Sequence, residues 1–356
     1  MTFLKFALVG CGRISAKHSE LLGTGKIANA SLVAVCDLVE EKAQNVGKKY
    51  QVPWYTNMDL MLQNEDIDVI SVLTESGNHA RHVIHLAKYG KHIIVEKPMA
   101  LTLDDADAMI KACSENNCKL FVVKQNRFNY PVVALRKAFE ANRFGKLVMG
   151  TVRVRWCRTQ KYYDQDKWRG TWALDGGVLA NQASHHIDLL QWMMGEVESV
   201  VAKSSTALVN IEAEDTAVVL LKFKNGALGI IEATTAVRPL DLEGSLSILG
   251  EKGTVEIGGF AVNEIRHWNF AESLEEDASV KTKYSVNPPN VYGFGHLAYY
   301  EDIVQSILEN KKSLIDGFEG RKSLELISAI YESIETGKEV FLRFIPQKCK
   351  LGHVDN

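Results

Sequence analysis

The sequence predicts an α/β protein in which a doubly wound parallel sheet is followed by an α+β domain with an open, mostly antiparallel sheet. Short apolar strands alternate with amphipathic helices over the first third of the chain, and longer strands of alternating polarity with tight turns follow. A length of 356 residues accommodates two domains. We place them at residues 1–125 and 126–345, with a polar tail at 346–356.

The first element is a short apolar strand followed by a glycine turn and an amphipathic helix, FLKFALVGCGRISAKHSELL from Phe3. The glycines allow the close backbone approach that a pyrophosphate requires at a helix N-terminus, and Ser15 replaces the third glycine of the Gly-x-Gly-x-x-Gly motif. A second strand ends in Asp37, whose carboxylate suits ribose hydroxyls and repels a 2′-phosphate. The spacing predicts an NAD site, and the alternative is a β/α domain without a dinucleotide. The contacts expected here are Gly10, Gly12, Arg13, Ile14 and Asp37.

Strands and helices continue to alternate as far as KLFVVKQNRF. Ligands collect beyond the carboxyl ends of strands in such sheets, and the segment HIIVEKP places Glu96 and Lys97 there. Lys97 could polarise a hydroxyl or carbonyl oxygen. The alternative is a surface lysine beside a glutamate.

The segment GGVLANQASHHIDLLQW, residues 176–192, predicts a buried helix. Asn181, His185 and Asp188 fall on one face at helical spacing, and this polar stripe suggests the wall of a site. His186 lies about a hundred degrees away and is expected to be packed.

The stretch RWCRTQKYYDQDKWRGTWALDGG, residues 155–177, mixes basic and aromatic side chains. Guanidinium and ammonium groups suit a pyrophosphate or carboxylate, and aromatic faces suit a uracil or sugar ring. A solvated strand face and a nucleic-acid contact are the alternatives. The net charge of −3 argues against nucleic acid.

With these motifs in order, the chain resembles the Gfo/Idh/MocA oxidoreductase family from about residue 3 to about residue 340. The resemblance implies an N-terminal Rossmann domain that binds NAD, a C-terminal domain whose open sheet mediates oligomers, and hydride transfer at a sugar or polyol carbon. It also implies that Lys97 lies near the reacting oxygen and that His185 takes the family's catalytic position. The neutral Asn181 stands where the family usually has an aspartate, which suits an acidic substrate.

A narrower resemblance lies in residues 155–177 and in VVKQNRFNYP, from Val122. Both look like dehydrogenases that oxidise UDP-N-acetylglucosaminuronic acid (UDP-GlcNAcA) at C3 on the way to diacetamido uronic acids of bacterial surface polysaccharide. This implies a UDP-sugar substrate, a homotetramer and reoxidation of bound NADH by 2-oxoglutarate. Further cofactor contacts are expected at Thr74, Asn78, His79, Glu96, Lys97 and Gln125. Substrate contacts are expected at Lys97, Arg158, Gln160, Lys161, Tyr163, Arg169, Asn181, Gln182 and His185.

His185 is the better candidate for the catalytic base, because an imidazole titrates near neutrality whereas the pKa of Lys97 would have to fall by roughly 3. Burial of Lys97 beside the cofactor would exchange the two roles. Two other functions stay open: a different sugar or inositol dehydrogenase, and a non-catalytic ligand-sensing protein on the same fold.

The remaining features predict a cytoplasmic protein without a metal site, nucleic-acid partner or membrane contact. The six cysteines form no Cys-x-x-Cys pair, and the start of the chain enters a strand without the features of a signal peptide. The polar segment from residue 270 to 296 is expected to be a long loop near the site, with Tyr292 and His296 at its end.

Overall fold

The structure is a computed structural model that describes residues 3–285, 293–343 and 345–353. It divides into two compact units. The first comprises Met1–Val123 and His296–Arg321, and the second comprises Lys124–Gly295 and Lys322–Asn356. None of the helices in the described part of the chain combines the length and the apolar character that crossing a membrane requires.

The first unit is built on a six-stranded parallel sheet in the order β3-β2-β1-β4-β5-β6. Its strands and helices alternate along the chain, which confirms the predicted doubly wound sheet. They are β1 (Leu4–Val9), α1 (Ser15–Gly23), β2 (Ala30–Cys36), α2 (Glu40–Tyr50), β3 (Trp54–Tyr55), α3 (Met58–Asn64), β4 (Val69–Val72), α4 (His79–Ala87), β5 (His92–Val95), α5 (Leu103–Glu115) and β6 (Leu120–Val122).

The strands of this sheet are short apolar runs because helices cover both faces of a doubly wound sheet. All four residues of β4 are buried, and so are three of the four in β5. The later segment of this unit adds an aromatic contact to the core: the ring of Tyr300 packs edge-on against Phe6 with centroids 5.8 Å apart. Residues nearly three hundred positions apart therefore share one core.

The second unit contains an eight-stranded sheet in the order β13-β12-β11-β7-β10-β9-β8-β14. The pair β7 and β10 is parallel and the other neighbouring pairs are antiparallel, which confirms the predicted open, mostly antiparallel sheet. The elements from residue 124 onward are α6 (Tyr130–Glu140), β7 (Leu147–Arg155), α7 (Gln160–Tyr163), α8 (Ser184–Met194), β8 (Val197–Ser205), β9 (Thr216–Phe223), β10 (Leu228–Thr234), β11 (Glu243–Gly250), β12 (Gly253–Gly258), β13 (Glu264–Phe270), α9 (Asp277–Tyr284), α10 (Gly295–Leu308), α11 (Gly317–Thr336) and β14 (Val340–Phe341).

Helix α8 covers one face of this sheet. It packs closely on β7, where a β-carbon at Gly150 would lie 2.7 Å from both Leu190 and Met194. The opposite face leaves large apolar side chains of neighbouring strands more than a third exposed. They are Val201, Val218, Leu220 and Leu228.

Two sequence predictions about this unit are wrong. The helix expected over residues 176–192 begins only at Ser184, because Gly176 has a positive φ of 85° and the backbone N–H of Leu179 donates to the side chain of Glu214. Asn181 therefore precedes the helix. The loop expected over residues 270–296 contains α9, whose first residue, Asp277, accepts a hydrogen bond from Trp268 Nε1 at 2.7 Å.

Candidate functional site

The glycine turn between β1 and α1 has the shape that a dinucleotide requires. Gly10 has a φ of 102°, and a β-carbon there would lie 2.7 Å from the carbonyl oxygen of Leu73. Beside Gly12 no described atom lies within 4 Å of the position that a β-carbon would take. Helix α1 has no acidic residue in its first turn. Backbone N–H groups at an open helix N-terminus without a competing carboxylate suit a pyrophosphate.

Asp37 stands directly after β2 and holds this turn in place. Its Oδ2 accepts the backbone N–H of Cys11 at 2.7 Å, and its Oδ1 accepts that of Val39 at 2.8 Å. Each oxygen keeps a second lone pair for a ribose hydroxyl. Of the two other residues predicted in the turn, Arg13 is exposed and Ile14 is half-buried.

The segments that follow β4 and β5 are joined by a buried histidine. His79 places Nδ1 at 2.8 Å from the carbonyl oxygen of Pro98 and Nε2 at 3.0 Å from that of Thr74. Burial lowers the pKa of His79 and outweighs the opposing effect of both carbonyls. The Asn78 amide donates to Glu75. The structure thus brings the predicted residues of these segments together at the carboxyl end of the sheet.

Glu96 is buried and uses both carboxylate oxygens. Its Oε2 accepts the backbone N–H of Lys97 at 2.9 Å, and its Oε1 accepts Nε2 of His18 at 3.0 Å. Burial raises the pKa of Glu96, but the His18 hydrogen bond and the charges of His18, His296 and Lys97 outweigh it and lower the pKa to about 2. Sequence reasoning missed His18, whose partner lies 78 residues away.

One ligand atom each of His18, Glu96 and His296 lies within 4.8 Å of the others, so this cluster has the composition of a cation site. The sequence predicted no metal. It placed His296 where a loop near the site enters the next helix, with a capping or packed histidine as the alternative. Tyr292, predicted beside it, lies outside the described residues.

In the second unit the two adjacent histidines have different surroundings. Nε2 of His185 lies 3.2 Å from the side-chain nitrogen of Gln125, so two predicted site residues meet. His186 is buried edge-on against Trp156 with ring centroids 5.7 Å apart, and neither of its ring nitrogens has a hydrogen-bond partner among the described residues. Burial lowers the pKa of His186 to about 4. His186 is a packed, neutral residue.

Asp188, on the same helix, is a structural anchor. Arg127 donates to both of its oxygens at 2.8 and 2.9 Å, and Lys124 Nζ lies 3.7 Å from Oδ1. Burial raises the pKa of Asp188, but the charges of Arg127 and Lys124 outweigh this effect and lower it, so that the net shift is downward. The residues of the expected polar stripe therefore have separate roles. His185 lies beside Gln125, whereas Asp188 forms a buried ion pair with Arg127.

The segment before α8 is held by two buried carboxyl groups. Asp175 accepts the side-chain amide of Asn181 at 2.5 Å, and it also accepts the backbone N–H of Gly170 at 2.8 Å. Glu214 accepts the backbone N–H of Leu179 at 2.9 Å. The buried side-chain oxygen of Gln182 has no hydrogen-bond partner among the described residues.

Glu214 was not predicted from the sequence. Both of its donors, Leu179 N–H and the Tyr331 hydroxyl at 3.0 Å, reach the same oxygen, Oε1. Burial raises the pKa of Glu214 to about 7, and the nearby Asp175 carboxylate adds to this effect. A carboxyl group that titrates near neutrality thus supports the segment leading to His185.

The basic and aromatic stretch is largely paired within the unit. Arg158 donates to Asp241 at 2.9 Å, and Arg169 donates to Asp166 at 3.0 Å. The guanidinium of Arg169 also lies 4.6 Å from the ring centroid of Tyr162. On β7, Arg155 donates to Glu232 at 2.6 Å, a contact that is compatible with the alternative of a solvated strand face.

A cavity of about 480 Å³ opens in the second unit beside this stretch. The predicted substrate residues Gln160, Tyr163 and Arg169 line it, and Lys161 does not. Its remaining wall carries Lys167 and several acidic and neutral groups, so its charge is mixed. The Tyr163 hydroxyl is buried at 3.1 Å from Oγ1 of Thr235, and only the rest of this side chain is available to a ligand.

Comparisons with known proteins agree with this geometry. Residues 4–124 match the Gfo/Idh/MocA oxidoreductase family's NAD-binding Rossmann fold, and residues 136–342 match its C-terminal alpha/beta domain. The WlbA dehydrogenase from Bordetella pertussis, solved with NADH and UDP-GlcNAcA, is 41% identical, with a TM-score of 0.89 over 96% of this chain and 100% of that chain. The WlbA dehydrogenase from Chromobacterium violaceum, solved with the same ligands, is 41% identical, with a TM-score of 0.90 over 97% of each chain.

A curated relative, the myo-inositol 2-dehydrogenase of Thermotoga maritima, is 28% identical over 95% of this chain and 98% of its own length. The two family matches together span nearly the whole chain, and the first covers the N-terminal segment of the first unit, which holds the glycine turn and Asp37. The chain belongs to the Gfo/Idh/MocA family and is an NAD-dependent oxidoreductase.

Proposed function

We propose that this protein oxidises the C3 hydroxyl of UDP-GlcNAcA to the 3-keto sugar, in the biosynthesis of diacetamido uronic acids of bacterial surface polysaccharide such as lipopolysaccharide O-antigen. The supporting observation is 41% identity, over almost all of this chain, to two dehydrogenases solved with NADH and that nucleotide sugar. The fold and the turn at Gly10 supply the dinucleotide half of such a reaction.

In the proposed reaction, bound NAD supplies the hydride acceptor at C3. His185 takes the hydroxyl proton at Nε2, where the substrate would replace the Gln125 amide that lies there at 3.2 Å. Lys97 orients the reacting oxygen and stabilises the negative charge that develops on it. One hydride and one proton leave the alcohol, so the oxidation is balanced.

We propose that the substrate binds in the cavity of the second unit and contacts Arg158 and Arg169. Both guanidiniums already contact carboxylates, so a bound diphosphate or uronate would have to compete with Asp241 and Asp166. Exchange of one anionic partner for another keeps the guanidinium neutralised in both states. The neutral Asn181, which donates to Asp175, adds no further negative charge.

The second candidate is the oxidation of an uncharged sugar or inositol. It is favoured by the pairing of those arginines and by the 28% identity to a myo-inositol 2-dehydrogenase over 95% of the chain. The two candidates share Lys97 and His185 and differ only in what the second unit recognises. Substrate comparison separates them.

The test incubates the purified protein with UDP-GlcNAcA and 2-oxoglutarate, with myo-inositol in a parallel reaction, and follows products by mass spectrometry. We expect the 3-keto nucleotide sugar together with 2-hydroxyglutarate, because NADH is proposed to be reoxidised while bound. Lys97→Ala and His185→Ala should each reduce turnover at least about 1000-fold while NADH fluorescence still reports binding. Turnover of myo-inositol alone would favour the second candidate.

We also propose that the protein is a homotetramer in which the open sheet contributes an interface. Support comes from the exposed apolar side chains on adjacent strands, where Leu220 pairs in register with Val201 and Ile230. Light scattering should give a mass of about four chains. A monomer at micromolar concentration would refute this.

A further inference from the structure

The backbone of Lys97 is tied to the interior of the first unit by a chain of buried polar groups. The Glu96 carboxylate accepts the Lys97 N–H at 2.9 Å through one oxygen and Nε2 of His18 at 3.0 Å through the other. The other ring nitrogen of His18 lies 2.5 Å from the hydroxyl of Tyr300. Three side chains thus connect Lys97 to α10.

The surroundings of this chain fix its hydrogen-bond direction. His18 and Tyr300 are fully buried and Glu96 is 7% exposed, so water does not compete for these contacts. A carboxylate only accepts, so Nε2 of His18 carries a proton in any protonation state of the ring. With its pKa lowered to about 2 by the same neighbours, Glu96 stays ionised at neutral pH and keeps two acceptors.

Lys97 is the half-exposed residue in an otherwise buried run from residue 93 to residue 101. The backbone at Lys97 therefore sets where the side chain leaves this buried run. After Lys97, the carbonyl oxygen of Pro98 contacts Nδ1 of His79 at 2.8 Å. The turn is therefore fixed on both sides of the lysine.

We propose that His18 is a positioning residue for Lys97: it holds the Glu96 carboxylate, which holds the Lys97 backbone amide and so sets the place of the ammonium group. This inference rests on the proposed role of Lys97 in catalysis. His18 acts through Glu96 and is not itself assigned a contact with substrate or cofactor.

A divalent cation bound by His18, Glu96 and His296 is the competing assignment, because these residues could supply three ligand atoms. The hydrogen bonds argue against it. Glu96 already accepts the Lys97 N–H at 2.9 Å and Nε2 of His18 at 3.0 Å, and a cation would break the hydrogen bond between His18 and Glu96. The observations therefore favour positioning, and metal binding is one outcome of the test.

The test compares His18→Gln, whose amide can still donate to Glu96, with His18→Leu, which cannot. We expect His18→Leu to lower kcat about 100-fold with the KM for NAD changed by less than about twofold, because small misplacements of a catalytic group cost this much. His18→Gln should recover kcat to within about fivefold of the wild type. Equal kcat values in the two variants would overturn the proposal.

A second pair of variants removes one hydroxyl each from the first unit. Tyr300→Phe removes the group beside His18, whereas Tyr50→Phe removes a buried hydroxyl that has no hydrogen-bond partner among the described residues. Tyr300→Phe should lower kcat about threefold to tenfold, and Tyr50→Phe should leave it unchanged. If His18→Leu does not fold, the comparison of Tyr300→Phe with Tyr50→Phe tests the proposal instead. Equal kcat values in these two variants would overturn it.

A readout that needs no substrate separates this inference from the proposed function. Reductive methylation with formaldehyde, followed by peptide mass spectrometry, measures the reactivity of individual lysines. In His18→Leu the rate at Lys97 should change at least about fivefold, while the rate at the exposed Lys88 stays constant. If the Lys97 rate changes in this way but the wild type oxidises none of the sugars tested, the proposed function is refuted and the positioning role of His18 is not. An unchanged Lys97 rate, or stoichiometric metal in the wild type that His18→Leu loses, would overturn positioning.

Discussion

Two buried glutamates lie beside the segments that carry the proposed catalytic residues, and the pKa values of their carboxyl groups are shifted in opposite directions. In the first unit, Glu96 accepts a donor at each oxygen and has a pKa lowered to about 2. In the second unit, Glu214 accepts both of its donors at Oε1, and its Oε2 has no partner among the described residues. Its pKa is raised to about 7.

The difference shows that burial alone does not decide the charge of a carboxyl group. Desolvation raises the pKa of both residues, and the charge of the neighbours decides the net direction. Interactions with His18, His296 and Lys97 lower the pKa of Glu96, whereas Glu214 has neutral donors and the Asp175 carboxylate as neighbours. The first site holds a negative charge, and the second exchanges a proton near neutral pH.

The strongest test of this comparison replaces each glutamate by glutamine. Glu96→Gln should lower the free energy of unfolding at pH 7 by about 3–5 kcal/mol, because the amide offers one acceptor where His18 and Lys97 present two donors and a buried charge pair is broken. Glu214→Gln should not lower it and should raise it by up to about 3 kcal/mol, since one amide oxygen can serve both donors and the neutral amide avoids the cost of ionising a buried carboxyl group. Urea unfolding of both variants measures this, and equal losses would break the comparison.

The pH dependence of stability is the next largest effect. For Glu214 the ordinary pKa is 4.5 and the folded value is about 7, so the folded state binds the proton more tightly. Its contribution to stability is complete below pH 4.5 and is lost as the pH rises through 7, by about 3 kcal/mol. The unfolding free energy of the wild type minus that of Glu214→Gln should therefore fall between pH 5 and pH 8. A constant difference would contradict the assignment.

The smallest effect concerns Tyr331, whose hydroxyl donates to Glu214 Oε1 and accepts the N–H of Gly177 at 3.3 Å. Tyr331→Phe should cost about 1 kcal/mol of unfolding free energy. The cost should be greater at pH 8 than at pH 5, because a hydrogen bond to an ionised carboxylate is the stronger one. Tyr50→Phe serves as the control, and a cost independent of pH would show that the Glu214 proton is not involved.

Much of the fold could be predicted because its signals are local. Each strand of the first sheet is a short apolar run, and strands of the second, such as Thr216–Phe223, alternate in burial. The prediction failed where a long-range contact overrides local spacing. Asn181 has the spacing of a helix face, but the positive φ of Gly176 and the hydrogen bond from Leu179 to Glu214 delay the helix to Ser184.

The candidate site shows the same division. Gly10, Asp37 and Lys97 stand in motifs of a few residues, and their positions follow from strand ends. The residues that hold them leave no local signal, because the partners of His18 and Glu214 are distant in sequence: Tyr300 lies 282 residues from His18, and Tyr331 lies 117 residues from Glu214. Local patterns show charged residues, but not which charges neutralise each other.

The contact between His18 and Tyr300 also has a consequence for the order in which the protein is made. A ribosome that adds 5 to 20 residues per second needs roughly 15 to 55 seconds to travel from one to the other. Once Glu96 has been made, the nascent first unit contains both Glu96 and His18 but still lacks the helix that carries Tyr300. The nucleotide-binding unit therefore reaches its final form only when most of the second unit has already emerged.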